Sequence, residues 1–479
     1  MSGNLKPSSN NAQPILRDNG SAHAAMPGER RSLWSLLKSK AFRPGVRQGV
    51  VVLFDQGLCG IGTLLTGVLV ARGCGANKAE FGLYVLGMTL VFTVQGFRRA
   101  LVSVPFTVLS PRLGDRERAA YFGSTLVQQL GISALTVAGF GGAAGVLYAM
   151  NRGGVAAVML AISVASVGIL LQDFMRSALL AELRVWTSLV MGAVARGTTV
   201  GALGLAYALG HLNVVVAYLI VAVCSGLPAA IVLWRERKRL ALVRQQIACD
   251  LKRNFRIGRW LVASNVAYMC TRQALPWFLV FVWGGEQLAV LGVCRAAAGL
   301  IGYMSRGLAS FFLPKMSQVA SSEKRLARIV KKSVSLLIVV GVGYVVLVGW
   351  LAGDRMVTWL YSDVYSGLGG LITLCFINAA IVLVDMPISH ALHALKRSDV
   401  VFKGLLAGVP VMLSVGVVLT WKMGVWGVCL ATLLSSLVSL TYRARYLSAR
   451  LSSAERPEGA RQPQEEDQAG EPFHPEQAL

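Results

Sequence analysis

Charge is scarce in this chain, and acid is scarcer than base: 15% of the 479 residues are charged, with 23 Asp and Glu against 47 Lys and Arg. A chain that is 54% apolar, with a mean hydropathy of +0.58, has too little polar material to cover a globule of this size. A soluble fold is excluded, and a bilayer has to act as solvent. Cysteine is present but scattered: Cys59, Cys74, Cys224, Cys249, Cys270, Cys294, Cys375 and Cys429 form no CxxC unit and no Cys/His cluster. That speaks against a disulfide framework and a zinc site, and no metal or other cofactor is expected. His390 and His393, spaced three apart, fall short of a ligand set and read as packing or headgroup contacts.

No cleavable leader is expected either. The first apolar run starts near Gly49, after a polar tail with Pro7, Ser8, Ser9, Asn10 and Asn11, so the first span is expected to act as the insertion signal. Long outer loops are absent too, apart from about 354 to 366, where Asp354 and Asp363 stand far apart. No catalytic constellation follows from this pattern, and the chain is expected not to be an enzyme.

What is present is a series of about a dozen apolar runs of spanning length. They lie near 48–71, 81–108, 121–149, 154–175, 186–209 and 212–234, then 259–283, 288–313, 332–353, 367–392, 402–421 and 423–442. With the N-terminus placed in the cytoplasm, the inner segments carry about 32 Lys and Arg against about 5 in the outer loops. This bias predicts a multi-pass protein of a bacterial inner (plasma) membrane with both termini cytoplasmic. The net charge of +24 then reflects topology and contact with anionic membrane lipids. Nucleic acid is not expected as a partner, because no basic domain stands free of the membrane.

The predicted architecture is an all-α polytopic membrane protein, its helices forming two six-helix bundles around a central cavity. Residues 1–29 are expected to form a disordered tail. At 30–47, Leu33, Trp34, Leu36 and Leu37 alternate with Arg30, Arg31, Lys38 and Lys40, a pattern suited to a basic amphipathic helix in the headgroup layer. The first bundle is placed at 48–234, a basic loop at 235–258, the second bundle at 259–446 and a disordered tail at 447–479. A faint echo links the halves: Phe81-Gly82-Leu83-Tyr84 with Pro105 about 24 residues on, and Leu291-Gly292-Val293-Cys294 with Pro314 about 23 on. In span one, Gly57, Gly60, Gly62 and Gly67 are expected to permit close helix packing rather than to form a phosphate loop.

The residues of most interest are ionisable groups inside apolar runs. Arg98 and Arg99 fall in span two, Arg196 in span five, Arg272 in span seven, and Arg295 and Arg306 in span eight. Against these six stand Asp55 in span one, Asp173 in span four and Asp385 in span ten. Each charge costs a few kcal/mol or more if it faces lipid, at about the scale measured for helix centres. The surplus of arginine therefore predicts an anionic ligand, and phosphate or pyrophosphate matches the guanidinium fork best. Arg98, Arg99 and Arg306 lie toward the inner half, where a long side chain can equally snorkel to lipid phosphates. Asp55 is read as an ion-pair partner or a site for a coupling H+ or Na+, and Asp385 and Asp173 as weaker candidates for the same roles.

Asp55-Gln56-Gly57, Thr66-Gly67-Val68-Leu69-Val70-Ala71-Arg72 and Glu80-Phe81-Gly82-Leu83-Tyr84 together resemble the opening of the O-antigen and exopolysaccharide flippases. These are polysaccharide-biosynthesis members of the multidrug/oligosaccharidyl-lipid/polysaccharide exporter superfamily, in which "AR" closing span one and "EFGxY" opening span two form a recognisable pair. Gln95-Gly96-Phe97-Arg98-Arg99-Ala100-Leu101 with Pro105 is similar to the inner half of span two in the same branch. The resemblance implies two helical bundles around an alternately opening cavity. It also implies outward movement of a polyprenyl-pyrophosphate-linked oligosaccharide, with polysaccharide polymerase or export proteins as partners. It transfers no individual ligand residue.

Other readings remain open at this stage. A drug or metabolite antiporter of the same superfamily would use Asp55 for the coupling ion, but surplus arginine repels a cationic cargo. A polyprenyl-sugar glycosyltransferase or polymerase would need the outer domain or acidic metal cluster that is missing here. A major-facilitator sugar porter shares the span count, yet Arg112-Leu113-Gly114-Asp115-Arg116-Glu117-Arg118 matches its loop signature poorly.

Overall fold

The computed structural model describes residues 43–237, 240–319, 322–351, 353–395 and 397–455. Residues before 43, including most of the expected amphipathic segment, and those after 455 lie outside the described residues. From Gln48 onward the chain forms one compact unit.

Among the described residues every regular element is helical, because in hydrocarbon each backbone N–H and C=O has to be satisfied within its own segment. The first half runs α1 (Arg43–Gly73), α2 (Lys78–Leu109), α3 (Asp115–Ala149), α4 (Gly153–Ala181), α5 (Val185–Ala208) and α6 (Val214–Glu236). The second runs α7 (Arg244–Arg272), α8 (Ala274–Trp283), α9 (Gly285–Val319), α10 (Glu323–Tyr344), α11 (Gly353–Tyr361), α12 (Gly369–Ala394), α13 (Ser398–Leu413), α14 (Val415–Met423) and α15 (Val425–Glu455). Nine helices among the described residues are long and apolar enough to cross a membrane, and α13 with α14, bent by 42°, makes a tenth.

The remaining two expected spans fall on α7–α8 and on α9, and here the structure departs from the sequence reading. The segment expected as a basic loop is largely helix: α7 begins at Arg244, because Arg, Gln and Lys favour helix and no Gly or Pro interrupts the run before Gly258. Its polar first turns dock on α3. There the Tyr121 hydroxyl donates to Asn254 Oδ1 at 2.6 Å, and Asn254 Nδ2 donates to Gln128 Oε1 at 2.8 Å. Span seven also breaks at Gln273, between α7 and α8. At the other end α15 continues to Glu455, into the stretch expected as tail.

Packing follows the same scheme in both halves. In the first, α4 lies against α3 and α6, and α5 against α6; in the second, α12 lies against α10 and α15, and α13 against α15. The halves meet along α2 and α9, and again where α7 packs on α2 and α3. At this crossing a Cβ on Gly82 would stand 2.0 Å from the Gly285 carbonyl oxygen, so the two backbones touch where the side chain is missing. Among the span-one glycines, Gly62 lies against the Arg196 stem and Gly67 faces the Tyr361 hydroxyl, whereas Gly57 faces open space and packs against nothing.

Two aromatic clusters flank the bundle. At the expected outer end Phe81, Tyr84, Tyr218, Tyr361 and Tyr365 gather in one buried cluster; toward the other end Phe106, Tyr121, Phe122 and Phe174 stack together. The buried Tyr218 hydroxyl donates to the Tyr84 carbonyl at 2.6 Å. Tyr218→Phe removes that bond with little change of volume and is expected to lower stability by about 1 kcal/mol, measured as unfolding in detergent. No change would mean the bond contributes nothing net.

Candidate functional site

Pro105 has no N–H, so the chain ahead of it cannot keep the regular α-helical ladder. Alpha-2 widens there into a π-helical turn at Arg99–Ser103. Arg98 and Arg99, at the mouth of this turn, both reach Asp173 on α4. Arg98 pairs with the carboxylate and donates to Ser103 Oγ at 2.8 Å, and Arg99 Nε and Nη2 approach its two oxygens at 3.1 and 3.2 Å. The Arg98 side chain is 0% exposed, which rules out snorkelling to lipid phosphate for this residue. Its hydrogen-bond partners are inside the bundle.

Asp173 and Arg176 are three residues apart on α4 and face the same side. Arg176 pairs with Asp55 on α1, so charge alternates in sequence from Arg98 and Arg99 through Asp173 and Arg176 to Asp55. Gln95, Gln172 and Arg196 complete a polar chamber of about 50 Å³ beside Asp55. Arg196, on α5, makes no ion pair among the described residues.

The second half repeats the device with different residues. Asp385 on α12 pairs with Arg443 on α15, accepts a hydrogen bond from Ser389 at 3.1 Å, and borders a chamber of about 70 Å³ with Thr271, Arg272, Ser435 and Ser439. Arg443 Nη2 also donates to the Val401 carbonyl at 3.1 Å, which fixes the guanidinium. Arg272 stands at the α7–α8 break, where its backbone carbonyl accepts from Arg295 Nη1 at 3.4 Å. Neither Arg272 nor Arg295 meets a carboxylate among the described residues. The Arg306 side chain lies outside the described residues, although its backbone continues α9.

Asp55, Asp173 and Asp385 are each ion-paired with arginine, one of the two roles expected of them, and two further features depart from the sequence reading. Two of their partners, Arg176 and Arg443, were assigned to inner loops because the apolar runs end just before them. The i, i+3 spacing of Asp173 and Arg176 could have identified the first; nothing local marks the second. Finally, Arg196 and Arg272 line two separate chambers, each with room for only a water or two. A roomier pocket of about 520 Å³ at the ends of α3, α4 and α6 lies apart from these arginines, with Arg184 paired to Glu236 at 2.7 Å.

The rings of His390 and His393 lie 6.2 Å apart and tilted by 49°, and His393 Nδ1 bonds Ser398 Oγ at 2.9 Å. Among the described residues no group of three His, Cys, Asp or Glu is arranged to hold a metal ion.

No protein-family model and no curated protein matches the sequence. Solved structures do match. The lipid II flippase MurJ in an inward closed conformation has a TM-score of 0.64 at 16% identity, over 84% of this chain and 87% of that one. The chain has the fold of the MOP superfamily. A multidrug resistance MATE family transporter of this superfamily, in an inward-facing conformation, has a TM-score of 0.60 at 15% identity over 85% of this chain and 100% of that one. A MOP superfamily transporter from Pyrococcus furiosus Vc1, described as having a binding pocket of reverse polarity, gives 0.60 at 14% over 88% and 98%. The MOP fold is thus shared with both flippase and multidrug members.

Proposed function

We propose that this protein is a transporter of lipid-linked glycan. It flips a polyprenyl-pyrophosphate-linked oligosaccharide from the cytoplasmic to the periplasmic leaflet of a bacterial inner membrane by alternating access, for cell-surface polysaccharide biosynthesis. One observation carries the reading: each membrane-embedded aspartate is already paired with an arginine, while Arg196, Arg272 and Arg295 have no carboxylate partner among the described residues. Uncompensated guanidinium groups in a low-dielectric interior attract an anion strongly, and their paired N–H groups suit the oxygens of a pyrophosphate.

The chambers around Arg196 and Arg272 are too small for such a ligand, so binding requires the halves to separate and bring the two chambers into one space. The sugar then occupies the polar interior, and the prenyl chain stays in lipid between the halves. An H+ or Na+ gradient is the proposed energy source, and polymerase or export proteins receive the product. The drug-antiporter reading, which the multidrug members of the fold bring forward, is disfavoured because Asp55, its coupling-ion site, is held by Arg176, and because the unpaired arginines repel a cationic cargo.

Arg272→Ala or Arg295→Ala is expected to lower surface glycan about tenfold or more at unchanged protein abundance, with Lys intermediate because it keeps the charge and loses the fork. Surface glycan at the original level in both Ala variants would overturn the reading.

A further inference from the structure

The expected outer end of the bundle holds a contact that the charge network does not use. Arg72, the last arginine of α1, reaches across from the first half to the second. Its Nε donates to the Leu360 carbonyl at 2.7 Å and its Nη2 to the Trp359 carbonyl. Both carbonyls belong to the last turn of α11, where a helix leaves C=O groups without intrahelical partners and carries its negative dipole end. A guanidinium fork satisfies two of them at once.

Around this contact the halves also touch through aromatic rings. Phe81 of the first half meets Tyr365 of the second edge-on at 6.2 Å, and Lys78 stands 5.7 Å from the centre of the same ring, while Tyr361 backs Tyr365 within the second half at 6.1 Å. The hydroxyls of Tyr361 and Tyr365 are buried here without a protein hydrogen-bond partner. Closing the seal therefore takes two polar groups out of water, which opposes the apolar gain and leaves the closed arrangement dependent on contacts at its edge.

We propose that Arg72 is the latch of the outer gate, holding the halves closed by capping α11, and that it must release for the gate to open. This rests on the alternating-access reading above, yet it assigns a task to residues that reading leaves unused. The arginine that closes span one and the short outer helix between α10 and α12 become two sides of one catch.

Cys74 serves as a native reporter, since it is buried in the same cluster, two residues from Arg72. Intact cells would be treated with a membrane-impermeant maleimide, with Cys74→Ser as background. Arg72→Ala is expected to raise the rate of Cys74 labelling about fivefold or more, and Arg72→Lys by less, as a coupling of ordinary size would give. Labelling at the original rate in both variants would overturn the proposal. In a second arm, Arg72→Cys with Leu360→Cys would be bridged by a short bifunctional methanethiosulfonate reagent. Bridging is expected to stop glycan export and reductant to restore it, while neither single variant responds; export at the original rate by the bridged protein would overturn the latch. The labelling arm needs no cargo, so it separates failure of the latch from failure of the glycan reading.

Discussion

Asp173→Asn is expected to destabilise the protein by about 3–5 kcal/mol, the cost of leaving a buried cation unmatched. The loss is large because Arg98 has no route to solvent: its side chain is 0% exposed and its other contacts are Ser103 and Gln129, which are neutral. Arg99 adds to the effect through its two bonds to the same carboxylate. Thermal unfolding in detergent or nanodiscs reads the change directly. Arg98→Met with Asp173→Leu is expected to recover most of the stability, since an apolar pair replaces the fully buried ion pair and the remaining cation, Arg99, is 53% exposed and can turn to water. A single Asn variant as stable as the parent would mean the guanidinium finds compensation elsewhere.

The second large effect is expected from Gly82→Val. The added Cβ would stand 2.0 Å from the Gly285 carbonyl oxygen and 2.6 Å from its carbon. Both are backbone atoms, so neither can rotate away, and the only relief is to move α2 from α9. A loss of about 3 kcal/mol follows, at the upper end of ordinary overpacking. Because the contact lies beside the aromatic seal, the same variant is expected to raise Cys74 labelling. Gly139→Val, on α3 with nothing within 4 Å of its Cβ, should leave both unfolding and labelling nearly unchanged. Equal behaviour of the two variants would show that the crossing is looser than its geometry indicates.

The helices were legible in the sequence because a bilayer imposes a length and a composition on every span, and twenty apolar residues are visible without knowledge of neighbours. Their interruptions were less so. Pro276 leaves the Arg272 carbonyl without its usual donor and so marks the break at Gln273, yet Pro228, Pro387 and Pro410 stay inside helices, and the charged composition of 244–257 reads as loop although it favours helix. The same limit governs the charges. Hydropathy places Asp55 and Asp385 in the membrane, but it cannot tell that Arg176 and Arg443, the first residues beyond their apolar runs, lean back to meet them. A count of cations inside spans thus identified a surplus: Arg98 and Arg99 are matched by Asp173, whereas among the described residues Arg196, Arg272 and Arg295 have no carboxylate partner.

The embedded ion pairs have one further consequence. Asp55 with Arg176, Asp173 with Arg98 and Arg99, and Asp385 with Arg443 each join helices of a single half, and none spans the seam between α2 and α9. The strongest electrostatic bonds therefore stiffen each half internally and leave the hinge between them free of charge pairing. Rocking one half against the other works against ring contacts, a glycine crossing, the Arg72 clasp and a few neutral hydrogen bonds, among them Asn254 to Tyr121 and Gln128 and Trp277 to Thr89. Its energetics should accordingly respond little to ionic strength and strongly to the width of that crossing.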